Sequence, residues 1–233
     1  MVMVYMRVSL VQLEINDNRS SEETVSYVVD LVDKIADAEM VVLPEIWNVG
    51  FFSFDEYRRK AQTLDGPLVS TFREKAREKS VHIHMGSFVE KREEGFFNTS
   101  VMIGPEGDLL AVYRKIHLFG FKSSENRILT PGKSITTVTT DLGRFGLATC
   151  YDLRFPEQFR AMMKQGVQAF LITSAWPAAR IAHWNLLTKA RALENLCFTV
   201  ACNCAGTNRG NELGGNSVIV NPMGEVVASL GKE

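Results

Sequence analysis

Apolar positions along the chain follow two rhythms, one with the period of a helix and one with no period at all. Over residues 22–38, Val25, Val28, Val29, Val32, Ile35 and Ala36 recur at three- and four-residue intervals, which predicts an amphipathic helix. Ser20 and Glu23 stand three apart just before it, the spacing of a capping box. The next run, Met40-Val41-Val42-Leu43, is continuous rather than periodic. It predicts a short strand buried on both faces and closed by Pro44.

The same alternation continues downstream. Pro67 opens a second helical stretch with Leu68, Phe72 and Ala76 four apart, and Val81 to Val89 reads as a strand. Phe97–Ile103 and Leu109–Lys115 flank Gly104-Pro105-Glu106-Gly107, which predicts an antiparallel hairpin. From His117 to Gly132 the pattern lapses into a long irregular segment of the kind that carries function. Strands near 135–139 and 144–149, a helix opened by Pro156, a strand over Ala169–Thr173 and a helix over about 180–195 follow. Further strands are predicted near 197–203, 215–220 and 225–229. The N-terminal run from Met1 to Leu13 reads as a first strand, because Arg7 and Glu14 interrupt it before membrane-spanning length and no basic leader precedes it. Strands outnumber helices, no linker or short repeat divides the chain, and residues 1–233 read as one α/β domain with strands inside and helices outside.

Composition narrows the function without naming it. Lys and Arg total 26 against 27 Asp and Glu, and the sequence pI is about 6.5, so nothing draws the chain to nucleic acid or an anionic membrane. Partners should be small molecules. Cys150, Cys197, Cys202 and Cys204 do not form a secreted disulfide framework in a chain this long, which places it in the reducing cytoplasm.

Candidate chemistry gathers at strand ends. Glu45, Lys115 and Cys150 each stand where an apolar run finishes, and layered α/β proteins collect ligands at the carboxyl ends of their strands. Brought together, a thiol, a carboxylate to take its proton and an ammonium to face a developing oxyanion would suit attack on an amide carbonyl. The backbone N–H of Tyr151, next after the thiol, would be a second oxyanion donor. Taken singly, each residue has a plainer reading: Glu45 as a turn acid, Lys115 as a solvated strand-end cation, Cys150 as core filler. Spacing alone leaves both readings open.

The surrounding residues resemble the nitrilase, or carbon–nitrogen hydrolase, superfamily. Its signature blocks stand in order as Val41-Val42-Leu43-Pro44-Glu45-Ile46-Trp47, Tyr113-Arg114-Lys115-Ile116-His117-Leu118-Phe119 and Ala148-Thr149-Cys150-Tyr151-Asp152-Leu153-Arg154-Phe155-Pro156-Glu157. Further matches are Phe97-Asn98-Thr99-Ser100, Pro131-Gly132, the segment His183–Asn195 and the segment Gly214–Glu225. The resemblance implies a four-layer αββα sandwich, a homodimer or higher homo-oligomer, and no metal or organic cofactor. It implies Glu45 as general base, Lys115 as oxyanion-stabilising cation, Cys150 as the nucleophile that forms a thioester, and a further glutamate, matched by Glu125, that orients the lysine and the substrate. Members of the superfamily continue into a further strand and tail, whereas this chain stops at Leu230-Gly231-Lys232-Glu233.

Nitrile-hydrolysing members carry Trp-Glu after the cysteine. Cys150-Tyr151-Asp152 looks instead like the amidase branch that includes ω-amidase and deaminated-glutathione amidase, so the expected reaction is hydrolysis of a small primary amide with water. Substrates of that branch carry a remote carboxylate, which Arg154 would hold; an ion pair with Asp152 or Glu157 is the equally open alternative. Trp176 is expected to wall the pocket. His183 falls within a helix, His82 and His84 have no acidic pattern around them, and Cys197, Cys202 and Cys204 fit a buried strand better than a metal cluster. The competing reading from another class is a catalytically idle sandwich that binds a ligand or a partner.

Overall fold

The strands end where the continuous apolar runs end, and this brings their C-terminal tips together. The computed structural model describes residues 6–121 and 123–233; Met1 to Tyr5 of the expected first strand lie outside the described residues. In chain order the elements are β1 (Val8–Leu10), β2 (Glu14–Asn16), α1 (Ser21–Lys34), β3 (Met40–Val42), α2 (Tyr57–Lys60), α3 (Pro67–Lys79), β4 (His82–Arg92), β5 (Gly95–Ile103) and β6 (Leu109–Arg114). They continue with α4 (Glu125–Ile128), β7 (Thr136–Thr140), β8 (Gly143–Thr149), a 3-10 turn over Cys150–Arg154, α5 (Pro156–Met163), β9 (Ala169–Ser174) and a second 3-10 turn over Ala178–Arg180. The chain finishes with α6 (Ile181–Asn195), β10 (Phe198–Asn203), β11 (Ala205–Asn208), β12 (Asn211–Glu212), β13 (Val218–Val220) and β14 (Val226–Ser229).

Two mixed sheets form the inner layers. One runs β1-β3-β4-β5-β6 and the other β14-β13-β10-β9-β8-β7. In the first, β1, β3 and β4 run parallel and β5 and β6 add antiparallel through hairpins; in the second, parallel β8, β9 and β10 form the centre with antiparallel β7, β13 and β14 outside them. Side chains of one strand serve two cores. Met40 and Val42 of β3 point between the sheets with Leu147, Leu171 and Val200, while Val41 points outward among Val28, Val32 and Phe72 of the helices. On the far side Phe170 and Ile172 of β9 meet Phe159 and Met162 of α5 and Trp184 of α6. Burying one such aliphatic or aromatic side chain is worth about 1.5–3 kcal/mol, so the period of two across each strand fixes the four αββα layers.

Several expectations need adjusting. The first helix stops at Lys34 rather than at residue 38: Ile35 is already extended, because the backbone N–H groups of Glu39 and Met40 must reach the Arg7 carbonyl at 2.8 and 3.2 Å to enter β3. The irregular 117–132 segment contains the single turn α4. A third sheet, β12-β11-β2, was not expected; its strands are short, polar or glycine-bearing, and β2 and β11 meet from opposite ends of the chain. His82 does find an acid, since its Nε2 lies 3.2 Å from an Asp141 oxygen. No helix among the described residues is long and apolar enough to cross a membrane.

His84 on β4 is fully buried, and neither ring nitrogen has a hydrogen-bond partner among the described residues. Burial pushes its pKa from 6.5 down to about 4. The unfolded chain therefore takes up this proton first, and stability, complete above pH 6.5, falls as the pH drops from 6.5 toward about 4. The share due to His84 is about 3 kcal/mol. Thermal melts should show a smaller difference between neutral pH and about pH 5 in His84→Leu than in the parent protein. An equal difference would assign the acid sensitivity elsewhere.

Candidate active site

Glu45, Lys115 and Cys150 each sit just past a strand, and the first two are tied to a different strand by their backbones. Glu45 lies three residues beyond β3; its N–H donates to the Ser174 carbonyl at the end of β9 (3.3 Å), and its Oε2 accepts the N–H of Ala175 (2.9 Å). Lys115 follows β6 directly. Its N–H donates to the Asn98 carbonyl at 2.9 Å, and its own carbonyl accepts from Gly132 at 2.8 Å. A Cβ at Gly132 would lie 2.0 Å from the Arg114 carbonyl oxygen, so only glycine lets the Pro131-Gly132 turn come this close. Cys150 opens the 3-10 turn after β8 with φ at +49°, a left-handed conformation that costs an L-residue about 1–2 kcal/mol.

The side chains then converge. Lys115 Nζ donates to Glu45 Oε1 at 2.9 Å and to both Glu125 oxygens at 2.9 and 3.0 Å, and all three residues are fully buried. Asn98 Nδ2 bridges the two carboxylates at 2.8 and 3.0 Å, and the Phe119 N–H donates to Glu125 Oε2 at 2.7 Å. The Cys150 thiol lies close enough to Glu45 and Lys115 for both to act on it electrostatically. The structure thus brings Glu45, Lys115, Cys150 and Glu125 into one cluster, although they come from both sheets and from the irregular segment.

Charge in this cluster is set by burial and mutual contact. Burial alone would lower the Lys115 ammonium, but Glu125 and Glu45 outweigh it and raise the group, so the lysine stays charged. Burial, reinforced by Glu45, pushes the Glu125 carboxyl up despite the ammonium beside it. The Cys150 thiol is raised well above its ordinary value, first by burial and then by Glu45, while Lys115 and the nearby Ser174 hydroxyl pull the other way. The resting sulfur is therefore a thiol, and a nucleophile only once a base takes its proton.

Above the sulfur opens a narrow cleft, with about 20 Å³ of room for the centres of water-sized molecules within about 340 Å³ that includes open solvent. Its walls include Tyr151 and Trp176, as the sequence suggests, with Phe51, Phe52, Phe119 and Pro177. Arg154 also faces it. The ion pair with Asp152 or Glu157 does not form: Asp152 is occupied by Tyr113, His117 and Thr149, and Arg154 instead contacts His183 Nδ1 at 2.9 Å, with its guanidinium 5.0 Å from the Trp176 ring. Sequence reasoning missed Arg180, which lines the same cleft with its guanidinium 5.1 Å from the Phe119 ring, and it gave Asn98 no role. A buried asparagine within the otherwise apolar β5 was the available signal for Asn98. A larger hollow of about 930 Å³ near Arg19, Asn48 and Arg209 is lined by neither cysteine nor histidine, and Lys60 and Arg209 on its rim are paired with Glu22 and Asp55.

A buried Glu–Lys–Glu cluster beneath a thiol, in a four-layer sandwich, defines a hydrolase of C–N bonds. The chain belongs to the carbon–nitrogen hydrolase family, whose model matches residues 7–233. It is 38% identical to a 2-oxoglutaramate amidase of Paenarthrobacter nicotinovorans, over 97% of this chain and 80% of that protein. It is 34% identical to the human omega-amidase NIT2, over 99% of this chain and 86% of that protein. The solved structure of XC1258 from Xanthomonas campestris, a superfamily member with an arsenic adduct in its active site, superposes with a TM-score of 0.92 at 30% identity, covering 99% of this chain and 88% of that one. This protein is accordingly an enzyme of the amidase kind, and the idle-sandwich alternative falls away.

Proposed function

We propose that the enzyme hydrolyses a small primary amide bearing a remote carboxylate, through a thioester on Cys150. The observation that carries the reading is the Lys115–Glu45 contact of 2.9 Å in a fully buried cluster directly under the cleft that exposes the sulfur.

Glu45 takes the thiol proton as Cys150 Sγ bonds to the amide carbon, and the carbonyl oxygen becomes negative. Lys115 and the Tyr151 N–H stabilise that oxygen, while Glu125 keeps the ammonium aimed. Collapse breaks the C–N bond, and the amine leaves as ammonia with the proton that Glu45 returns. Water then loses a proton to Glu45 and adds to the thioester; the S–C bond breaks, the acid departs and the thiol is restored. One amide and one water give one acid and one ammonia.

The acidic substrate is supported by Arg154 and by the relatives named for 2-oxoglutaramate and omega-amide hydrolysis. Arg154 lies over the Trp176 and Tyr151 rings and contacts His183 through one guanidinium nitrogen, so among the described residues its guanidinium retains donors for a ligand carboxylate. Ammonia release should be assayed across α-ketoglutaramate, succinamate, deaminated glutathione and neutral amides. Acidic amides should be turned over best. Arg154→Ala should weaken them by about 10–100-fold in kcat/KM, the scale of a hydrogen bond to a charged group, and neutral amides by under about threefold. Equal losses would remove Arg154 from substrate recognition.

Two further readings accompany this one. Homodimerisation or higher self-association is supported by α6, which exposes Leu186 and Leu193 beside the turn carrying exposed Met223, side chains a second copy would cover; light scattering tests it. A cytoplasmic setting is supported by four buried, unpaired cysteines.

A further inference from the structure

Asp152 is fully buried and forms no part of the cleft wall, yet it gathers four donors from both sheets. Its Oδ1 accepts the His117 backbone N–H at 3.0 Å and pairs with His117 Nδ1 at 2.8 Å. Its Oδ2 accepts the Tyr113 hydroxyl at 2.6 Å and the Thr149 N–H at 2.9 Å. Tyr113 and His117 stand two residues before and two residues after Lys115, and Thr149 and Asp152 bracket Cys150 and Tyr151.

We propose that Asp152 is a positioning residue for the reaction, clamping the turn that begins at Cys150 to the backbone on both sides of Lys115 and so fixing where the sulfur sits relative to the ammonium. The inference rests on the reading of Glu45, Lys115 and Cys150 given above. Cys150 and Lys115 belong to separate sheets, β8 and β6, which meet through side-chain packing and share no ladder hydrogen bonds. Apolar packing is non-directional, so it sets the distance between two layers more firmly than the register of one strand tip against another. Four charge-assisted hydrogen bonds at one carboxylate supply that register.

The partners are arranged for an acceptor and nothing else. A carboxylate has about four lone-pair sites and no donor, which matches the His117 and Thr149 N–H groups, the Tyr113 hydroxyl and, in the tautomer protonated there, His117 Nδ1. Tyr113 is committed as donor to Asp152, because its oxygen already accepts from the Ile116 N–H at 3.2 Å and from Gln158 Nε2 at 3.0 Å. Burial and Asp152 raise that phenol well above its ordinary value, so it keeps its proton. The His117 ring lies flat against Phe155, 3.6 Å between centroids and 7° between planes, which fixes the plane in which Nδ1 meets Asp152. Asparagine at this position would preserve shape but turn an amide NH2 toward one of these donors.

The test uses two readouts, only one of which needs the natural substrate. In Asp152→Asn, kcat on the best amide should fall by about 30-fold or more with KM within about threefold, since misplacement near 1 Å costs on the order of 100-fold in rate. Alkylation of Cys150 by iodoacetamide, which forms an S–C bond and releases iodide, should slow by about tenfold when followed by peptide mass spectrometry. Wild-type kcat and wild-type alkylation, or a change confined to KM, would overturn the clamp. Failure of every amide to react with the parent enzyme would sink the functional reading alone, because the alkylation comparison still decides the clamp. Where Asp152→Asn does not fold, Tyr113→Phe removes one of the four donors; several-fold slower alkylation at unchanged melting temperature supports the clamp, and unchanged alkylation overturns it.

Discussion

Cys150→Ala should end ammonia release from every amide the enzyme accepts, a loss of about 10⁴-fold or more, because no other described residue lining the cleft carries a thiol to form the thioester. The remaining cysteines are not substitutes. Cys197 and Cys202 direct their sulfurs at the carbonyls of Val167 and Val11, and Cys202 is pushed up to about 12 by burial. The fold should survive, since alanine occupies a left-handed backbone position no worse than cysteine and the single atom lost lies where the core borders the cleft. Ammonia assays and a thermal melt on the same preparation check both halves. Turnover within about tenfold of the parent, with a normal melt, would remove Cys150 from the reaction.

Lys115→Ala should be costly in two ways at once. Loss of an oxyanion-stabilising donor in a water-poor site lowers kcat by about 10²–10³-fold. The same change leaves Glu45 and Glu125 buried side by side with no cation, which costs about 3–5 kcal/mol and lowers the melting temperature by roughly 6–20 °C for a chain of this size. The pH dependence has a definite sign. Glu125, raised already by burial and Glu45, rises further once the ammonium is gone. A carboxyl with a folded pKa above its unfolded value contributes stability that is present at low pH and lost as the pH rises through the folded value. The melting gap between Lys115→Ala and the parent should therefore narrow on acidification, and the His84 contribution cancels because both proteins contain it. A variant that melts like the parent at neutral pH would show that the carboxylates do not depend on Lys115.

An α/β protein with strands inside and helices outside, and the strand-end placement of three cluster residues, were legible from local signals, whereas the four αββα layers and the roles of those residues came with the family resemblance. Continuous apolar runs marked β3, β8 and β9, and Glu45, Lys115 and Cys150 stand at the ends of such runs, where a side chain must leave the core for the strand tips. Glu125 carried only the family resemblance. Its loop has no period, and what defines it is a pair of contacts to Lys115, ten residues away, together with Asn98 on β5. Asp152 and Arg180 were illegible as functional groups for the same reason: one acts through donors about 35 residues upstream, and the other reaches the cleft only because the 3-10 turn before α6 swings it over Phe119. Arg154 shows the converse. Charge next door in sequence suggested an ion pair, but Asp152 had already been claimed by a different strand.

The most direct test of the shared cavity is to trap the acyl group. The parent enzyme, mixed with an ester of a short dicarboxylic acid that it hydrolyses slowly and then quenched in acid, should carry that acyl mass on the peptide containing Cys150, whereas Glu45→Gln, which lacks the base for both half-reactions, should acquire it far more slowly. The mass should be absent from Cys150→Ala and should disappear with hydroxylamine, as a thioester does. An acyl mass on any other residue, or steady ammonia release by Glu45→Gln at the parent rate with Cys150 unmodified, would contradict the account.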